Sequence, residues 1–190
     1  SSQILKRNKL KLCSYPFDWI FSTYDTVLHC IEDNFNTFLD KSCYVNISET
    51  TCRHTKYTNL NDSHMFLHHN PLINVDHYNY FGRCVDRFKN LLQKPEHKLF
   101  TMIFVNGEYD SHSSTFLNNI VEFNTKFSKH TSNYNLLVMI NYPNKPFQHH
   151  TFTYKDNIHV LELHTLSKSN GIYFLNDTDN TYLDNVIKST

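Results

Sequence analysis

Three short apolar runs constrain the fold of this chain more than any other feature of it: "KLFTMIFVNGE" from Lys98, "YNLLVMINYP" from Tyr134 and "NIHVLELHT" from Asn157. Each is too short for a buried helix and rich in β-branched or aromatic residues, and the first ends in Asn106-Gly107, so each reads as a buried strand closing on a turn. Between the first two, 113–129 carries Phe116, Leu117, Ile120, Val121 and Phe127 at helical spacing. Strand, helix, strand is the pattern of a right-handed parallel crossover. The expected fold is therefore an α/β, three-layer domain with a mostly parallel central sheet flanked by helices. In such sheets ligands favour the crevice at the carboxyl ends of the strands, which directs attention to Asn106, Glu108 and Asn141.

The N-terminal half adds helices and one long irregular stretch. Val27, Leu28, Ile31, Phe35, Phe38 and Leu39 predict an amphipathic helix over 22–39, with Ser22 or Asp25 as its cap. From Asp40 to Asp76 the pattern dissolves into Asn, Thr, His and Ser, giving a long irregular segment with room for short strands, the kind of loop that often carries function. Phe81, Val85, Phe88, Leu91 and Leu92 restore helical periodicity over 78–92, and Pro95 prevents its continuation. A short helix over 179–188 closes the chain.

At 190 residues the chain fits one domain spanning 1–190. Eighteen basic side chains balance eighteen acidic ones with no block of like charge, so neither nucleic acid nor an anionic membrane is an expected partner. No apolar run is long enough to span a bilayer. The five cysteines form no CxxC pair and are odd in number, which fits a reducing, intracellular compartment better than a disulfide framework. Cys43, Cys52, His54 and His64 match no standard zinc spacing. Without a phosphate-cradling glycine loop, a nucleophile elbow or a dinucleotide fingerprint, no cofactor is expected. The first residue is Ser rather than Met, which suggests a trimmed, processed or partial chain.

The motif hardest to explain by periodicity is "LCSYPFDWIFS", Leu12 to Ser22. Pro16, Phe17, Asp18 and Trp19 read as architecture: an Asp after Pro-Phe ties the amides of a turn, and the lone Trp fills core. Cys13 precedes that turn and reads as following a helix. A reactive thiolate wants a helix N-terminus or a cationic neighbour, so Cys13 reads as structural. Arg83 and Arg87, one helical turn apart, could clamp a carboxylate or phosphate; pairing with Asp18 or Glu108 is the simpler alternative.

Taken together, "SSQILKRNKLKLCSYPFDWIFS", "FLHHN", "YFGRCVDRFKNLL", "LFTMIFVNGEY" and "LLVMINY" come in an order and spacing that resembles the DUF1796 family, whose members are described as papain-like cysteine peptidases. The Asn-, Lys- and Tyr-rich composition is similar to that of members from large DNA viruses of protists, which implies host cytoplasm or virion as the compartment. The resemblance implies a cysteine nucleophile paired with a histidine. In the family that cysteine lies in a Leu-Gly-x-x-Cys segment just upstream of a helix; matching "SSQILKRNKL" to the helix puts it one or two residues before Ser1. The histidine falls in "LHHN": His69 is the residue carried over as base or ligand, His68 its near alternative, with Asn70 where the family has an acid. Cys-His-Asn sets are chemically workable. Three readings follow: a cysteine-dependent hydrolase of a peptide or small molecule, a catalytically silent binding or virion component, and, since papain is not built on a parallel sheet, a transferase-like α/β domain acting on a sugar or nucleotide.

Overall fold

The computed structural model describes residues 2–57, 65–105 and 114–189. In chain order the elements are α1 (Ser2–Arg7), α2 (Tyr24–Glu32), α3 (Asn36–Leu39), a 3-10 turn (Lys41–Cys43), β1 (Tyr44–Asn46), β2 (Cys52–His54), α4 (Val75–Gln93), β3 (Lys98–Phe104), α5 (Ser114–Phe127), β4 (Tyr134–Tyr142), β5 (His149–Lys155), β6 (Ile158–His164) and α6 (Asp177–Ser189). These residues form two compact units, one of Ser1–Leu12, Pro95–Thr125 and Ser132–Thr190, the other of Cys13–Lys94 and Lys126–Thr131.

The first unit holds a four-stranded sheet in the order β3-β4-β6-β5. The three apolar runs are its parallel strands: β3 pairs with β4, and β4 with β6, in continuous parallel register. Alternation of side chains then sorts them onto two faces. Met139, Leu161 and Leu163 join Leu183 and Val186 of α6 and Ile4 of α1 on one face; on the other, Phe104 meets Phe116 of α5 at 5.1 Å between ring centres. The strand β5, antiparallel to β6, was not legible in the sequence, because its residues HHTFTYK are mostly exposed and lack the apolar run of a buried strand.

Asp179, in the first turn of α6, fastens the loop after β6. Its buried carboxylate accepts from Leu166 N (3.1 Å), Ser167 N (2.9 Å), Ser167 Oγ (2.8 Å) and Gln148 Nε2 (2.8 Å). Burial works to raise its pKa, but the hydrogen bonds outweigh it and hold the carboxyl below the usual carboxylate range. A folded-state pKa below the unfolded one adds stability above about pH 3.9 that is lost as pH falls through the folded value. Asp179→Ala is expected to cost about 3 kcal/mol at pH 7, since it strands two backbone donors. Urea midpoints of variant and wild type should differ clearly at pH 7 and draw together as pH falls through the folded-state pKa.

In the second unit the helix expected over 22–39 is two helices. Thr23, not Ser22 or Asp25, caps α2, its side chain accepting from Thr26 N. After α2, Asn34 and Phe35 both take left-handed backbone, at φ 58° and 63°. Asn tolerates that region and Phe does not. What holds Phe35 there is its burial at 1% exposure among Phe17, Phe38 and Phe88, at ring distances of 5.9 to 6.0 Å. The irregular segment forms one short hairpin, β1 with β2, and an isolated bridge between Cys52 and Phe66.

Candidate functional site

The helix α4 is the spine of the second unit. Asn74 caps it, accepting from Asp76 N (2.9 Å) and His77 N (3.2 Å), and its inner face presents Phe81, Cys84, Val85, Phe88 and Leu92. Both motifs singled out in the sequence dock on this helix.

The turn Cys13–Trp19 reaches α4 near its middle. Arg87 Nε donates to the Ser14 carbonyl (3.0 Å) and Arg87 Nη2 to Cys84 Sγ (3.0 Å). Burial pushes the Tyr80 hydroxyl pKa up to about 12, with Ser14 and Cys84 among the groups near it. Asp18 closes the turn by accepting the Tyr15 N–H. Pro16 is buried, and Phe17 packs edge-on to Phe88 at 5.6 Å and Phe38 at 6.2 Å. Trp19 is half-buried. The two arginines part company here: Arg87 is half-buried and engaged by the protein itself, whereas Arg83 is exposed. Asn106 and Glu108, the other expected ligand contacts, lie outside the described residues.

The "LHHN" segment docks one to two turns nearer the helix start. The His69 imidazole stacks on the Tyr80 ring at 4.8 Å and 8° between planes, with His77 edge-on at 4.9 Å and Phe81 at 5.9 Å. Residues 77, 80 and 81 share one face of α4, so a single helix builds this cage. Among the described residues neither ring nitrogen of His69 has a hydrogen-bond partner. Burial first, and then the neighbouring His77 and His68, push its pKa below the ordinary histidine value. Burial thus favours the neutral form of His69, whose ring is oriented by its aromatic neighbours. His68 is exposed.

Asn70 does different work. Fully buried, it donates from Nδ2 to Asn46 Oδ1 (2.6 Å), Ser48 O (2.7 Å) and Thr51 O (3.2 Å), and accepts at Oδ1 from Leu72 N (3.1 Å) and Ile73 N (3.4 Å). Its own N–H donates to His77 Nδ1 (3.0 Å), which places the His77 proton on Nε2. The side chain joins the β1–β2 turn to the approach to α4 and has no capacity left to orient an imidazole.

The thiols sort by burial. Cys30, Cys43, Cys52 and Cys84 are buried and Cys13 is half-exposed, and all five are free. Burial pushes the Cys30 thiol up to about 12 and raises those of Cys52 and Cys84. Of these five thiols, a reagent such as dithionitrobenzoate is expected to modify Cys13 quickly and the other four only on unfolding; fast modification mapped to Cys30, Cys43, Cys52 or Cys84 would contradict this burial pattern. Among the described residues no three His, Cys, Asp or Glu side chains are grouped to hold a metal; His64 lies outside them. Buried His54 donates from Nε2 to Thr37 O (3.0 Å) and accepts from Lys56 N at Nδ1 (3.2 Å).

In the other unit, Asn141 stands at the carboxyl end of β4, donating to Thr165 Oγ1 (2.8 Å) and Leu163 O (3.3 Å). The cavity beside it, about 30 Å³ and lined by Ile103, Met139, Phe174 and Leu183, is room for a single water. No helix among the described residues is long and apolar enough to cross a membrane.

Sequence reasoning singled out His69 but not Tyr80, the ring it stacks on. The available signal was the run of rings and sulfur at 77, 80, 81 and 84, helical spacing on a face that must meet something. Over residues 1–145 the chain matches the family model described as "Putative papain-like cysteine peptidase (DUF1796)". No curated protein and no solved structure matches the chain.

Proposed function

The chain belongs to the DUF1796 family, and from that premise we propose that it is the body of a cysteine-dependent hydrolase in which His69 is the imidazole of the Cys-His pair. The observation that carries the reading is the His69 ring itself: biased toward its neutral form by burial, fixed by Tyr80 and His77, and without a hydrogen bond at either nitrogen among the described residues. A general base needs that protonation state and a free nitrogen to take the thiol proton. The reaction is acyl transfer from an amide or ester, peptide or small molecule, through a thioester that water then cleaves. The buried thiols are poor nucleophiles, and among the described residues Cys13 has neither a helix N-terminus nor a cationic partner beside it. The thiol this reaction needs is the one the family resemblance sets one or two residues before Ser1.

The same reading takes the four-stranded sheet as the middle of a three-layer α/β arrangement, supported by α1 and α6 on one face and Phe116 of α5 on the other. Arg83, exposed on α4, is the remaining candidate of the arginine pair for a substrate carboxylate.

One observation favours the second reading, a binding component without catalysis: both atoms of the Asn70 amide are spent on the fold, so the acid expected beside the histidine has no functional counterpart there. Intact mass, N-terminal sequencing and electrophile labelling of the chain as its native source makes it separate the two. The hydrolase reading expects a thiol preceding Ser1 that labels faster than Cys13; a chain with no such thiol and no hyper-reactive cysteine supports the binding reading.

A further inference from the structure

We propose that Tyr80 is the positioning residue of this site, its ring fixing the plane of the His69 imidazole. The inference rests on the reading of His69 as the functional imidazole.

Three observations carry it. The rings of His69 and Tyr80 are nearly parallel, 8° apart at 4.8 Å, which a loop histidine facing water would not hold. The Tyr80 hydroxyl lies near Ser14, in the turn before Pro16, and Cys84, one helical turn further along α4. Arg87 braces the same two residues, donating to the Ser14 carbonyl and to Cys84 Sγ, both at 3.0 Å. One tyrosine therefore stands between the imidazole and the most specific motif in the chain. Because an imidazole held only by stacking can rotate about its bond to Cβ, removing the ring frees both its plane and its hydration. His77 and Tyr80 from α4, and His68 on its own segment, are the titratable groups that face it.

The test is acylation of histidines by diethyl pyrocarbonate, followed residue by residue by mass spectrometry across pH, on wild type, Tyr80→Leu and Tyr80→Phe. The reagent reacts with neutral imidazole, so the pH midpoint of His69 modification reports its ionisation. Wild type is expected to show a midpoint below about 6.5, Tyr80→Leu a clearly higher one, still held down by His77 and His68, and Tyr80→Phe, which keeps the ring, one nearer the wild type. Buried His54 serves as the folding control and stays unmodified. Should the Leu variant expose His54, Tyr80→Met, which keeps more of the buried volume but no ring, carries the test. A His69 midpoint unchanged in the ringless variant, with His54 protected, overturns the proposal. The hydrolase reading fails separately: if His69→Asn leaves the thiol reactivity of the native chain untouched, that reading falls while the Tyr80 titration still stands.

Discussion

Replacing Asn70 by Ala is expected to lower stability by about 4 kcal/mol, seen as a large fall in the urea midpoint at pH 7 with little change in slope. Four backbone groups lose their partner at once: the carbonyls of Ser48 and Thr51 and the N–H groups of Leu72 and Ile73. Each buried group left unsatisfied costs about 1–3 kcal/mol, reduced where water can enter. Asn70→Asp is the sharper variant. It restores the acid implied by the family resemblance and keeps the shape, yet a carboxylate cannot donate to two carbonyls. We expect it to be no more stable than the Ala variant at pH 7 and to recover partly as pH falls toward the carboxyl pKa, when a proton can again bridge to a carbonyl. An Asp variant as stable as wild type at pH 7 would show that the hydrogen bonds of Asn70 do not hold the hairpin to α4.

Phe38→Ala should be about as damaging, at 3–5 kcal/mol. Phe38 is fully buried and touches Phe17, Phe35, Phe66 and Phe81 at ring distances of 5.8 to 6.2 Å. It links the Pro16–Trp19 turn, the left-handed corner at Phe35, the bridge strand at Phe66 and α4, so the void left by the ring lies where four segments meet and none can close it alone. Phe38→Leu, which keeps most of the apolar volume, should cost less than half as much. Equal costs for the two variants would mean that edge-to-face ring geometry, rather than filled volume, governs the cluster.

What the sequence made legible was whatever repeats with a period. Phe81, Val85, Phe88 and Leu92 marked α4, and the uninterrupted apolar runs marked β3, β4 and β6, because burial on one face or two leaves a pattern in the chain. The break after α2 left none: neither Gly nor Pro stands at 34–35, and the left-handed turn there is imposed by the rings that bury Phe35. Likewise β5 pairs through its backbone while most of its side chains face solvent, so its sequence is free to be polar. At the site, four-residue spacing correctly put Arg83 and Arg87 near one another on α4, but the edge of the buried face falls between them, and only the fold shows which one it has engaged. Asn70 was read as the counterpart of a catalytic acid, since a motif gives position and not partners. Its partners at 46, 48, 51, 72 and 73 are brought together by the hairpin, which nothing in those residues announces one by one.

The central claim is that His69 is the base of a Cys-His pair, and the direct measurement is the pH dependence of alkylation of the fast-reacting thiol in the native chain, with and without His69→Asn. The account predicts that the rate constant near neutral pH falls at least about 100-fold in the variant, and that the remaining reaction follows ordinary thiol ionisation near pH 8.5. A variant that alkylates as fast as the wild type, with the same pH profile, would contradict it.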